Sequence, residues 1–243
     1  MNKLGIFLSF VIFCFSFSAF AQKEQWEANA GFSAVVNSGN AVNQTVGGNS
    51  LLSYKVDKNK ISWTGNGAYG RAKSGGVTST NTKNWNTVLR YDRFVSNAIS
   101  LYALSKIGAD EPAGFELRYG GSAGLAHSLI DTNIHKFQYE AGFDFTREER
   151  LPEPDANIYA ARSFSQYRYR FSKTASFTQD LEALFNVKQG KDIRVNTLSA
   201  LQINLKENLA FQSGFAIRFD NQPVTGRKKL DTTTQIGLAI TFL

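Results

Sequence analysis

Cysteine is almost absent: Cys14 is the one thiol in 243 residues. It sits in the N-terminal apolar segment behind Phe13, where lipoprotein processing needs a small residue, so lipidation is not expected. Without that segment the chain has no thiol, which excludes a disulfide scaffold, a zinc-thiolate site and a cysteine nucleophile. Histidine (2), methionine (1) and proline (4) are also scarce. No His and carboxylate set stands at metal-binding spacing, and neither a metal nor an organic cofactor is expected. Long apolar runs are missing too. After residue 20 nothing approaches the roughly 18 residues of a spanning helix, so no helix is expected to cross a bilayer.

The first segment reads as an export signal. Lys3 supplies a charged start, Leu4 to Phe20 are mostly apolar, and Ala19-Phe20-Ala21 gives a small-x-small cleavage site. The expected division is a signal peptide over 1–21 and a mature domain over 22–243. The sharp change to Lys23-Glu24-Gln25 favours removal over a retained membrane helix. The formal charge of +7 becomes +6 once Lys3 is lost. A basic chain can meet nucleic acid, anionic lipid or an acidic ligand. Export makes nucleic acid the poorest of these, and no nucleic-acid partner is expected.

Phenylalanine (20), tyrosine (9) and glycine (20) are plentiful instead, and aromatics with glycines in a proline-poor chain favour sheet. The pattern is alternation. Leu209, Phe211, Phe215, Ile217 and Phe219 share one face, with Ser213 as the gap, against Ala210, Gln212, Gly214, Ala216, Arg218 and Asp220. Ile236, Leu238, Ile240 and Phe242 oppose Gln235, Gly237, Ala239 and Thr241. Phe137, Tyr139, Ala141, Phe143 and Phe145 oppose Lys136, Gln138, Glu140, Gly142 and Asp144. Tyr159, Ala161, Tyr167, Tyr169 and Phe171 oppose Arg162, Gln166, Arg168 and Arg170, with Phe164 out of pattern. A period of two gives each strand one greasy and one polar or small side. Strands are expected at about 25–37, 42–55, 60–71, 83–94, 98–108, 114–128, 134–146, 158–171, 174–187, 192–205, 208–220 and 231–242.

The links alternate in length. Asp57 to Asn59, Ser96-Asn97, Ile130 to Asn133, Ser172-Lys173 and Glu207-Asn208 are short and rich in turn residues. Between them fall Lys73 to Asn81, Arg147 to Asn157 and Gln222 to Lys229, with shorter links at Ser38 to Asn40, Asp110 to Pro112 and Lys188 to Lys191. Short turns on one rim and longer loops on the other fit an all-β, transmembrane, up-and-down antiparallel β-barrel of about twelve strands in the bacterial outer membrane. Trp26, Trp63, Tyr91, Tyr169 and Phe171 would form a girdle toward the turns, and Tyr69, Trp85, Phe115, Tyr159 and Phe219 one toward the loops. A soluble barrel or sandwich also alternates, with its apolar face inward. The regular turns, the Gly and Ala mixed with charge on the polar face, and the terminal Phe242-Leu243 favour the membrane form. That C-terminal strand resembles the signal read by the outer-membrane assembly machinery, which is therefore an expected partner, together with outer-membrane lipid and lipopolysaccharide.

Several stretches carry a family resemblance: Gly31-Phe32-Ser33 through Ser38-Gly39-Asn40, Arg90-Tyr91-Asp92-Arg93-Phe94, Arg118-Tyr119-Gly120-Gly121-Ser122-Ala123-Gly124-Leu125, and Tyr139-Glu140-Ala141-Gly142-Phe143-Asp144-Phe145-Thr146-Arg147-Glu148-Glu149-Arg150. They are similar to the YdiY-like family of unknown function, whose members are often labelled putative salt-induced outer-membrane proteins. The resemblance spans nearly the whole mature chain and implies an outer-membrane barrel. It supplies no catalytic residues.

The chemistry to look for lies on the polar faces. Inward, Arg90, Arg118, Arg162, Arg168, Arg170 and Arg218 would meet Glu116, Glu140, Asp144, Asp180, Glu182 and Asp220, charges tolerated only when paired or hydrated. They would either draw anions into a narrow pore or plug the lumen with ion pairs, since roughly twelve strands leave a space that side chains can largely fill. Arg90, Arg118, Arg162, Arg168 and Arg170 are the ligand-binding candidates, the last three clustered on one strand. Arg71, Lys73, Lys188, Lys191, Arg227, Lys228 and Lys229 would form a basic loop rim open to head-group phosphate or simply to solvent. Gly65-Asn66-Gly67-Ala68-Tyr69-Gly70 matches a dinucleotide fingerprint in letters, but it lies in a strand with no helix after it. His127, Ser128 and Asp131 invite comparison with a barrel phospholipase. Adjacent strand residues face opposite ways, so His127 cannot easily take the Ser128 proton, and no enzyme activity is expected. An adhesin role through the longer loops is the weakest of the alternatives.

Overall fold

A computed structural model describes residues 25–37, 42–74 and 77–242. The expected signal peptide and Leu243 lie outside the described residues. Twelve strands follow one another: β1 (Gln25–Asn37), β2 (Val42–Val56), β3 (Asn59–Ser74), β4 (Val77–Phe94), β5 (Ile99–Asp110), β6 (Phe115–Asp131), β7 (His135–Arg150), β8 (Ala156–Arg170), β9 (Ala175–Asn186), β10 (Ile193–Asn204), β11 (Leu209–Asp220) and β12 (Leu230–Thr241). Each pairs antiparallel with its neighbours in sequence, and β12 pairs with β1 to close the ring. The fold is the expected up-and-down barrel, in which closure leaves no bare sheet edge in lipid.

Alternation sets which side faces out. Trp63, Leu89, Leu101, Leu125, Phe143, Phe185, Phe215 and Leu238 are exposed on the outer wall. Their sequence neighbours turn inward, where Ser53, Asp92, Ser122, Glu140, Asp144 and Arg162 are buried. Apolar residues outside and charge inside invert the soluble arrangement, which fits lipid as the outer solvent. Among the described residues no helix is long and apolar enough to cross a membrane.

Closure depends on close backbone approach. Asn29↔Thr241 to Ser33↔Gly237 form the seam, and a Cβ on Gly237 would strike the Phe32 carbonyl. Phe242 N–H, just past β12, donates to the Ala28 carbonyl at 2.8 Å.

Three sequence expectations need correction. Lys73 to Asn81 is not a loop: β3 runs to Ser74 and β4 begins at Val77, with a register shift at Gly70/Arg71. Val77, Thr78 and Thr80 are β-branched and favour an extended backbone. Likewise the segment from Arg147 is mostly strand, since β7 continues to Arg150 and β8 starts at Ala156. Phe115 does not join an outer girdle. A bulge between Phe115 and Leu117 reverses its facing, and it is 7% exposed beneath Arg118. Trp26, Trp63, Tyr69, Trp85, Tyr91 and Phe171 are exposed as a girdle requires.

Candidate functional site: a charged lumen

The lumen is organised by three acids on β7. Glu140, Asp144 and Glu148 stand four residues apart, so all point inward, about 13 Å between successive levels. They are 1%, 1% and 0% exposed. Isolated carboxylates could not be buried so deeply, and neighbouring strands bring each its cations.

At the level nearest the short turns, Glu140 accepts from Arg90 Nη1 at 2.8 Å, Arg162 Nη1 at 2.8 Å and Gln138 Nε2 at 2.7 Å. Arg90 also grips Asp92 through two nitrogens, at 2.8 and 2.7 Å. Arg162 donates to Glu182 at 2.7 Å and to Tyr102 Oη at 2.9 Å. Both guanidiniums lie over the Tyr102 ring, at 4.7 and 5.5 Å. Phe164, out of pattern in the sequence, stacks under Arg162 at 5.1 Å.

In the middle level Asp144 accepts from Lys106 Nζ at 2.6 Å, Ser122 Oγ at 2.5 Å and Thr146 Oγ1 at 2.8 Å. Nearest the loops, Glu148 binds Arg194 through both terminal nitrogens and Arg150 through two more. Arg118 Nε lies 3.2 Å from Glu148 in ion-pair range, without hydrogen-bond geometry. Arg194 continues to Asp192 at 3.1 Å, and Asp192 to Asn186 at 2.9 Å.

Two contacts cross the mouth. Arg218 on β11 reaches Asp110 on β5 at 3.3 Å, six strands around a ring of twelve. Above it the β11–β12 loop spans the same way. Val224, 1% exposed, sits against Gly114 of the β5–β6 link, and Thr225 donates its N–H to Glu153 of the β7–β8 loop at 2.7 Å. The Thr225 hydroxyl binds the same oxygen. These bonds hold the half-buried Glu153 carboxyl below the usual carboxylate range, and nearby Arg150 adds to the effect.

The opposite wall differs. Between Lys55 and Lys60 near the turns and the loop rim, the inward positions of β2 and β3 carry no ionisable residue. Asn49, Asn66 and Asn86 are exposed there to the lumen.

The five candidate arginines thus part into two groups. Arg90, Arg118 and Arg162 are bound into the ion-pair levels. Arg168 and Arg170 stand exposed on the inward face of β8 near the short turns; neither has a carboxylate within salt-bridge distance among the described residues, although Arg168 interacts at longer range with Asp180 of β9. Asp144, Glu140 and Glu182 line the lumen as expected. Glu116 does not: it is the exposed extra residue of the β6 bulge. Glu148, Arg150, Arg194, Asp192, Asp92, Asp110, Lys106 and Tyr102 were missed. Parity with Arg90 would have found Asp92. Glu148 and Arg150 were lost to the misplaced loop.

The hydrolase constellation is not assembled. His127 pairs with the outward Tyr139 and Ser128 with the inward Gln138, and His135 Nδ1 lies 2.8 Å from Tyr167 Oη. No group of three or more metal-ligating side chains occurs among the described residues. The glycine run of the false fingerprint is a crowding device, with Gly65 against the Trp63 ring and Gly67 against Trp85.

A closed twelve-stranded barrel, apolar outside and charged within, defines an outer-membrane-type β-barrel of porin architecture. Solved structures agree. The NanC porin matches at a TM-score of 0.54 with 10% identity, over 89% of this chain and 100% of that one. The KdgM porin in complex with disordered oligogalacturonate matches at 0.50 with 9% identity, over 90% and 100%. The family model described as "Protein of unknown function, DUF481" covers residues 30–242, and the chain belongs to that family. This agrees with the resemblance read from its motifs. No curated protein matches the chain in sequence.

Proposed function

We propose that the protein is a non-enzymatic pore of the bacterial outer membrane, passing small solutes with a preference for anions. The partition of the lumen carries this reading. The buried charges are gathered on β4 to β10 and neutralise one another, which leaves the β1–β3 side, beyond Glu27, Lys55 and Lys60 near the turns, lined by exposed uncharged groups. Between those residues and the loop rim, a path along that side is polar and free of fixed charge. Arg168 and Arg170, in no direct salt bridge at the turn-side mouth, supply a local positive field that favours anions, moderated at Arg168 by Asp180. The assembly machinery engaging β12, and lipopolysaccharide phosphate meeting Lys188, Lys191 and Arg227 to Lys229 on the loop rim, complete the proposal.

Purified protein in a planar bilayer tests it. Stepwise current with an anion-selective reversal potential is expected, and Arg168→Ala with Arg170→Ala should lower the selectivity while current persists. A silent membrane would instead support a structural barrel with a closed lumen, a second reading favoured by Val224 and Arg218 bridging the mouth. Release of fatty acid from phospholipid would overturn the non-enzymatic assignment.

A further inference from the structure

Three asparagines stand side by side on the uncharged wall. Asn49 of β2 is opposite Asn66 of β3, and Asn66 is opposite Asn86 of β4. All three are exposed on the inward face, and none of their carboxamides has a hydrogen-bond partner among the described residues. The row ends in glycine on both sides, Gly31 of β1 opposite Asn49 and Gly108 of β5 opposite Asn86. A Cβ on Gly31 would strike the Asn49 side chain, and one on Gly108 would stand 2.8 Å from Asn86 Cβ. Gly31 therefore leaves the Asn49 amide room to lie flat along the wall, and Gly108 lets β5 approach the backbone of β4 at Asn86.

One step toward the short turns, the same three strands present Leu51, Thr64 and Val88, also opposite one another. The wall thus offers a line of amides beside a partly apolar ledge. Each carboxamide carries a donor and an acceptor, and a sugar hydroxyl is likewise both. Neighbouring strands lie about 4.8 Å apart, so three amides reach across about two pyranose units. The ledge suits the C–H face of the rings. A bare inorganic anion would gain little here, because no cation stands in the row.

We infer that Asn49, Asn66 and Asn86 form a binding subsite for the hydroxyls of a carbohydrate, about a disaccharide in length. It deepens the pore reading by naming a solute class, and the two can fail separately. Anion preference resides at Arg168 and Arg170, whereas hydroxyl recognition resides in this row.

The test uses the folded chain in lauryldimethylamine oxide, a detergent without a sugar head group, with sucrose as probe. Saturation-transfer NMR is expected to show sucrose contact, weakened about tenfold by Asn49→Ala, Asn66→Ala and Asn86→Ala together, since three modest hydrogen bonds are lost. Asn66→Ser, a smaller change, should weaken it less and serves if the triple variant does not fold. No transfer to the native protein, or equal transfer to the variants, overturns the subsite even where salt current flows. Sucrose contact that depends on the row in a barrel that carries no current sustains the subsite and ends the pore reading.

Discussion

Tyr102 of β5 rests its hydroxyl against the backbone of β7 at Gly142, where a Cβ would stand 2.6 Å from Tyr102 Oη. That bare backbone lets Tyr102 reach Arg162 at 2.9 Å and slide beneath both guanidiniums that clamp Glu140. The same Cβ would strike the Ala123 carbonyl of β6. One glycine therefore sets the spacing of two strands and the height of the first ion-pair level.

Gly142→Ala is expected to push β6 from β7 and to unseat Tyr102. Overpacking of this kind costs about 1–3 kcal/mol. Urea titration of the barrel in lipid vesicles should show the loss, and Tyr102→Phe should show a smaller one, because it removes the hydrogen bond and keeps the ring. A Gly142→Ala barrel as stable as the native one would mean that the strands adjust freely.

Glu140 holds two guanidiniums that also face Asp92 and Glu182. Glu140→Ala leaves Arg90 on Asp92 and Arg162 on Glu182 but takes one charge-assisted hydrogen bond from each cation, a loss of about 1.5–3 kcal/mol apiece. Arg162→Met breaks the same Glu140 bond and takes the cation from Glu182 as well, so with Glu140→Ala alongside it the shared bond is lost only once and the double loss should fall short of the sum of the single losses. Unfolding free energies of the two single variants and the double variant, assembled as a cycle, measure the coupling; additive losses would show that Glu140 and Arg162 do not depend on each other.

What the sequence made legible was periodic. Strict alternation such as Phe137 to Asp144 assigns facing directly, so the strand count and Glu140, Asp144 and Arg162 as lumen residues followed. Where one residue breaks the period, facing reverses unseen, as at the bulge that turned Phe115 inward and left Glu116 out of register. Pairing across the lumen was also beyond reach. Arg118 and Arg168 look alike as inward arginines, yet one is drawn into ion-pair range of Glu148 and the other forms no direct salt bridge, because that depends on which side chains the closed ring brings together.

The bond between Thr225 and Glu153 should respond to acid. The carboxyl is held below its ordinary value by the Thr225 hydroxyl and N–H. The contact is therefore complete above the unfolded-state value and is lost as pH falls through the depressed one. The amide of Thr225, followed by NMR from neutral pH downward, is expected to shift and to exchange faster with a midpoint below the usual Glu value of about 4.3. A midpoint at or above that value would show that the bond does not form in solution.

Past Asn221, which bonds to the Lys191 and Ile193 carbonyls, the loop that carries Thr225 is tied to other segments by Val224 against Gly114 and the Glu153 contact. Segments with so little burial open readily, so passage through the mouth is expected to involve lifting of this loop. The chain's one cysteine, Cys14, falls in the expected signal peptide, so Glu153→Cys with Thr225→Cys would introduce a unique pair in the mature protein. Bridging the pair with a short thiol-specific cross-linker should lower the bilayer current, and a reductant that releases it should restore the current. Either single variant treated in the same way should keep its current. If the doubly substituted barrel conducts equally with the bridge in place, solutes pass beside the loop along the asparagine wall, and the loop is a fixed brace.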